Sequence, residues 1–173
     1  MTELPNDLTD LAHDVLDAAR AANKRIVTAE SCTGGLIAGC LTAIPGSSDA
    51  VEGGLITYSN EAKISLLGVP RDAIAENGAV SDLVASAMAE GALAASGADI
   101  AISVTEIAGP GGGSKEKPVG LVYMALAQTG RDALVKRYVF AGTRTDVRRA
   151  SVGAALELLL SALREPLEAE PAE

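Results

Sequence analysis

The sequence predicts an α/β fold: a single-domain three-layer α/β/α sandwich with a mixed, mostly parallel sheet. Three observations predict it. Short β-branched runs alternate with amphipathic or apolar helical segments, the pattern of strands covered by helices on both faces. Two late strand-like runs, 119–127 and 133–140, flank Thr129-Gly130, a turn that sets them antiparallel and makes the sheet mixed. The 173 residues contain no internal repeat and no interior linker, so one domain with a sizeable core is expected over residues 1–164. Residues 165–173, with Glu165, Glu168, Glu170, Glu173 and two prolines but no base, are expected to be a disordered acidic tail.

The elements follow in order. Leu8, Leu11, Ala12, Val15, Leu16 and Ala19 recur at helical spacing, with Asp10, Asp14, Asp17 and Arg20 on the other side. Residues 25–29 read as a strand. Residues 33–43 read as a helix ended by Pro45-Gly46, and 51–59 as a strand that is Gly-flexible at its start. Ser59 is placed to cap a helix through Leu67, stopped by Gly68 and Pro70. Ser81 caps a long helix to Ala95 that ends near Gly97. Residues 100–105 are a strand, and 106–118 a Gly/Pro loop that leads into the late hairpin. Thr143 and Asp146 have capping-box spacing for a last helix to about Leu163.

Composition narrows the function classes. Apolar residues make up 48%, yet there is no Trp and one Phe, so the core must come from Ala, Val, Leu and Ile. No apolar run reaches the roughly 20 residues of a membrane span. The first residues lack the basic and apolar regions of a signal peptide. Cys32 and Cys40 lie too far apart on one predicted helix to bridge, which suits a reduced, cytoplasmic setting. The net charge of −9 disfavours nonspecific contact with nucleic acid or anionic lipid, so a bound phosphate needs a local site.

Ser31 stands out because it sits where a strand turns into a helix. Free N–H groups at such a start attract anions and can stabilise an oxyanion. Ser31 is either a nucleophile or a plain helix cap. The single His, His13, is the only support for a Ser-His-Asp triad and otherwise reads as half-exposed and structural. Cys32 is either a thiol activated by the helix start or a buried structural one. Lys63 falls in the first turns of its helix, where the positive dipole end and burial would favour the neutral amine; the alternative is a surface lysine. Tyr58 is placed to stack on a planar ring or to pack at a strand end. The loop at Gly109, Gly111 and Gly112 lets backbone approach a phosphate or sugar, though its order fits neither a Walker loop nor a dinucleotide turn. Arg144 and Arg148 are placed to reach an anion, and Arg148 and Arg149 are equally placed to face solvent. No cluster of Cys, His and acids suits a metal.

Several motifs then occur in a familiar order: Thr28-Ala29-Glu30-Ser31-Cys32-Thr33-Gly34-Gly35, Pro45-Gly46-Ser47-Ser48, and Gly53-Gly54 through Tyr58-Ser59-Asn60-Glu61-Ala62-Lys63. Gly78-Ala79-Val80-Ser81, Ala108-Gly109-Pro110-Gly111-Gly112 and Lys117-Pro118-Val119-Gly120 follow. Over residues 8–163 the chain resembles the CinA C-terminal domain family. The resemblance implies an α/β/α sandwich and a nicotinamide-nucleotide amidase, a hydrolase that deamidates nicotinamide mononucleotide with a Ser/Lys dyad and no cofactor or metal. It implies Ser31 as nucleophile and Lys63 as its base. Tyr58, Thr33, Gly34, Thr105, Gly109, Gly111, Gly112 and Arg144 are the residues expected to meet the substrate. The expected partners are a small-molecule nucleotide and, as an open case, further copies of the chain in a homo-oligomer; nucleic acid and membrane are not expected. Larger relatives carry another N-terminal domain, whose activity is not expected here.

One residue departs from the family pattern Thr-Gly-Ile-Ala-Gly-Pro-Gly-Gly. Glu106 stands in Thr105-Glu106-Ile107-Ala108 where the family has glycine. Its charge is expected to oppose a substrate phosphate, its backbone to be strained if that glycine uses a positive φ, and Lys115, Lys117 or Arg144 to be its compensating partner; a side chain turned into solvent is the alternative. Two other readings follow: a nucleotide-binding or regulatory domain that has lost turnover, and a serine amidase with another substrate.

Overall fold

A computed structural model describes residues 5–164. The element order is α1 (Asn6–Ala21), β1 (Ile26–Glu30), α2 (Leu36–Thr42), β2 (Val51–Ile56), α3 (Asn60–Leu67), α4 (Arg71–Asn77), α5 (Asp82–Ser96), β3 (Ile100–Glu106), β4 (Leu121–Gln128), β5 (Leu134–Val139) and α6 (Arg144–Arg164). A 3-10 turn spans Ser47–Asp49. The acidic 165–173 segment lies outside the described residues.

The five strands form one mixed sheet in the order β2-β1-β3-β4-β5. β2, β1 and β3 run parallel, and β4 and β5 extend this core antiparallel. Side-chain alternation on the strands sorts the core into two layers. Ile26, Ile100, Ile102 and Val104 face α1, α2 and α6. Val27, Ala29 and Ala101 face the other way, against Val84, Met88 and Ala92 of α5 and Leu67 of α3. Small residues let α5 lie close to the sheet. Gly91 is the tightest point, because a Cβ there would enter the Leu67 carbonyl at the end of α3.

The caps explain where helices begin. Ser59 Oγ accepts from Ala62 N at 3.1 Å, and Ser81 Oγ accepts from Val84 N at 3.3 Å. At α6, Thr143 N donates to Asp146 Oδ2 at 2.8 Å and Asp146 N donates back to Thr143 Oγ1 at 3.3 Å, the reciprocal capping box. One element is added to those read from the sequence, and one expectation changes. The stretch after Pro70 is a helix, α4, closed by Gly78. The segment after Ser31 is a turn through residue 35, so α2 starts at Leu36 behind Gly35, whose φ of 94° a glycine adopts without strain.

The topology creates a crevice. From the C-terminal end of β1 the chain leaves through α2 toward β2 at one edge; from β3 it leaves toward β4 on the other side. Loops that part in this way open a cleft above the strand ends, the usual place for a ligand in an open α/β sheet. Ser31 follows β1 and Glu106 ends β3, so both stand at that opening.

Candidate active site

A cleft of about 300 Å³ lies at this switch point, lined by residues that include Ser31, Cys32, Tyr58, Lys63, Glu106 and Arg144. A larger hollow of about 490 Å³ beside Lys24 and Asp99 has no paired nucleophile and base among its described lining residues.

Ser31 continues the line of β1: its N–H donates to Val104 O at 3.1 Å, which fixes the residue against β3. Lys63 comes from the first turns of α3 and is 1% exposed. Its Nζ is 2.9 Å from Ser31 Oγ and donates to Thr57 O at 2.8 Å and to Tyr58 O at 3.4 Å. An ammonium fills these three positions with three donors. A neutral amine keeps both carbonyl partners with its two N–H bonds and turns its lone pair to the serine hydroxyl. Burial moves the Lys63 pKa down to about 8, so both states are accessible near neutral pH.

The α2 start is not open to an anion. The Glu30 carboxylate, buried at the end of β1, accepts from Gly35 N at 2.9 Å, Ile37 N at 3.1 Å and Ala38 N at 2.9 Å, and from Thr28 Oγ1 at 3.0 Å. The expectation that this helix start receives substrate is therefore corrected: a carboxylate of the protein already neutralises it. Thr33 and Gly34, also expected to meet the substrate, stand in the turn between Ser31 and that helix. Neither is among the cleft residues. Thr33 is buried, and its carbonyl accepts from Arg148 Nη2 at 3.1 Å while Cys32 O accepts from Arg148 Nε at 2.9 Å. Arg148, read from sequence as an anion-binding or solvated residue, instead pins the turn behind Ser31.

The other expected residues converge. Thr105 lines the cleft and donates through Oγ1 to Ala79 O at 2.8 Å, fixing the wall made by Ala79 and Val80. Lys117 Nζ holds the same wall by donating to Val80 O at 2.7 Å and to Asn77 O. Gly109, Gly111 and Gly112 form part of the lining. At Gly109 φ is 80°, and a Cβ would collide with Val119 at 2.7 Å. Arg144 reaches over the opening, donating to Gly109 O at 3.1 Å and to the Tyr58 hydroxyl at 3.2 Å. Tyr58 is 62% exposed, so its ring is available at the rim.

Two candidates fall away. His13 is exposed on α1 and is not among the cleft residues, so it offers no triad. The Cys32 thiol is buried and its pKa is pushed up, first by burial and then by the charge of Glu106, which favours the structural reading over the activated thiol.

Glu106 also differs from expectation. It lies in β3, and the described residues with positive φ other than glycine do not include it, so its backbone is unstrained. Its side chain is 7% exposed rather than turned to solvent. Oε2 accepts from Ser151 Oγ at 2.6 Å, and the buried Oε1 has no partner. Of the cations expected to compensate it, Lys115 makes no described ion pair with it and Lys117 bonds the 77–80 segment; Arg144 bonds Gly109 O and the Tyr58 hydroxyl, yet its charge, together with that of Arg148, still favours the Glu106 carboxylate.

Fold and site together describe an α/β/α domain with a serine and a buried lysine in contact at the crest of its sheet. The chain belongs to the CinA C-terminal domain family, whose model matches residues 8–163. It is 46% identical over 154 residues to the nicotinamide-nucleotide amidohydrolase PncC of Escherichia coli K12, covering 89% of this chain and 93% of that protein. It is 50% identical over 160 residues to a protein of Moorella thermoacetica named as competence-damage inducible, covering 92% of this chain but 38% of that longer one. The crystal structure of the competence/damage inducible protein CihA from Agrobacterium tumefaciens superposes with a TM-score of 0.89 at 46% identity, covering 95% of this chain and 100% of that one.

Proposed function

We propose that this chain is a nicotinamide-nucleotide amidohydrolase that converts nicotinamide mononucleotide and water into nicotinate mononucleotide and ammonia. The observation that carries the reading is the 2.9 Å contact between Lys63 Nζ and Ser31 Oγ inside the cleft. Its likeness to the E. coli amidohydrolase over most of both chains supports the choice of reaction.

In this reading Ser31 Oγ attacks the carboxamide carbon while its proton passes to neutral Lys63. The ammonium so formed stands beside the tetrahedral intermediate and gives the proton to the departing nitrogen. The C–N bond breaks, ammonia leaves and the acyl group stays on Ser31. Water then attacks the acyl carbon, Lys63 takes its proton, and the serine oxygen leaves and is reprotonated. Tyr58, Arg144 and the 109–112 loop hold the nucleotide at the rim, with the phosphate near Arg144. The domain of residues 1–164 acts in the cytoplasm on this small molecule, without nucleic acid.

Ammonia release from nicotinamide mononucleotide by the purified protein tests the reading. Ser31→Ala and Lys63→Ala are each expected to lose at least about a thousandfold in kcat, since the pair acts as a unit. Near-wild-type turnover by either folded variant rejects the dyad.

A further inference from the structure

The cleft places its ionisable groups at different depths. Ser31, Lys63 and Glu106 are buried at its floor, while exposed Tyr58 and half-buried Arg144 stand at its rim. Strand alternation puts Ser31 on the α3 side of the sheet and Glu106 on the α6 side, where it meets Ser151. No described salt bridge joins the Glu106 carboxyl to a cation and its Oε1 makes no hydrogen bond, although the Cys32 thiol and the more distant charges of Arg148 and Arg144 act on it. A buried carboxyl oxygen without a partner is costly, and a ligand of positive charge offsets that cost.

A nicotinamide mononucleotide is polarised. Its N-ribosylated ring is a pyridinium cation, and its phosphate is an anion at the far end of the sugar. Attack by Ser31 requires the carboxamide at the floor. The ring bonded to that carboxamide then lies deep in the cleft that Glu106 also lines, and the phosphate extends toward Arg144.

We propose that Glu106 is a specificity-determining residue for ring charge: its carboxylate makes this cleft prefer a cationic pyridinium to a neutral ring of the same shape. The inference rests on the amidohydrolase reading for the placement of the ring. It reverses the expectation that Glu106 opposes the substrate, because the charge nearest to it is the positive end. Burial raises the carboxyl pKa, opposed by Ser151, Cys32, Arg148 and Arg144, and a cationic ring beside it further favours its ionised form. The same carboxylate repels the carboxylate newly made on the ring of the product, which favours product release.

The test compares oxidised with reduced nicotinamide mononucleotide, which share the sugar phosphate but carry a cationic and a neutral ring. Calorimetry on the full chain with Ser31→Ala, and on that chain with Glu106→Gln added, gives dissociation constants without turnover. The Glu106 protein should bind the oxidised form at least about tenfold more tightly than the reduced one. Glu106→Gln should lower that ratio about tenfold, leave the reduced form within about threefold, and tighten nicotinate mononucleotide. Glu106→Gly, the family residue, should do the same and serves if the glutamine variant does not fold. Ser151→Ala, which keeps the carboxylate, should retain the preference. An unchanged ratio, equal weakening of both ring forms, or no binding of either nucleotide overturns the inference. Absence of ammonia release by the wild-type chain overturns the amidohydrolase reading alone; the ring-charge ratio still decides the role of Glu106.

Discussion

Lys63 is the residue on which most of the proposed chemistry turns. It is among the largest fully buried side chains, and burial brings its pKa from 10.5 to about 8. A general base works when deprotonated, so kcat/KM should rise with pH and level off above about 8. The same shift has a sign for stability. Between about 8 and 10.5 the unfolded chain holds a proton on Lys63 that the folded chain lacks, so stability rises with pH across that window by up to ~1.4 kcal/mol per pH unit. Below pH 8 the penalty for the buried cation is fully present. Chemical denaturation of the wild type and Lys63→Met should therefore diverge in favour of the wild type as pH rises from 8 to 10.5; parallel profiles reject the shift. Arg144 works at the rim, where its guanidinium already bonds Gly109 O and Tyr58 and can still face an anion. Arg144→Ala should raise KM for the mononucleotide about tenfold and change that for the riboside much less. Equal changes for both substrates would remove the phosphate role.

At the scale of elements, the site depends on how α3 and the 31–35 turn are held. Lys63 rides on α3, and α3 is set against α5 where Gly91 meets the Leu67 carbonyl. Gly91→Ala gains helix propensity worth about 1 kcal/mol but forces the end of α3 outward. The expected net result is a loss of about 1–3 kcal/mol in stability, as for overpacking elsewhere, with a lower kcat because Lys63 moves from Ser31. Equilibrium denaturation and steady-state kinetics measure both; a more stable, equally active variant contradicts this packing argument. The turn is held from below by Glu30 and from the side by Arg148. Glu30 illustrates why a helix start in sequence is not yet an anion site: the donors were there, and a neighbouring strand supplied the anion.

For the whole molecule, the sheet order does what no single element does. It brings the ends of β1 and β3 side by side and sends their following loops apart, so residues far apart in sequence line one cleft. The net charge of −9 leaves the cleft's own groups to draw in an anionic nucleotide. Among the described residues no group of three or more His, Cys, Asp and Glu is placed to hold a metal ion. Ammonia release should therefore be unchanged after exhaustive chelation. Loss of activity that a divalent ion restores would require a different mechanism from the Ser/Lys pair.

The sequence by itself determined the alternation of elements, the late hairpin, the helix caps at Ser59, Ser81 and Thr143, and the candidate pair Ser31 and Lys63. These were legible because periodicity, capping and turn chemistry are local, and because the motifs occur in a recognisable order. α4 was legible in principle from Pro70, Ala73, Ile74 and Gly78, but seven residues give too short a period to read alone. The tertiary structure alone decided which polar groups meet. Glu30 closes the α2 start, Arg148 turns inward to the backbone behind Ser31, and Glu106 enters the core against Ser151. It also decided that Cys32 is a buried thiol of raised pKa and that His13 stays outside the cleft. The physical reason is that hydrogen bonding, burial and charge act through space. A carboxylate read along the chain has a sign; only the packed neighbours determine whether it caps a helix or faces a ligand.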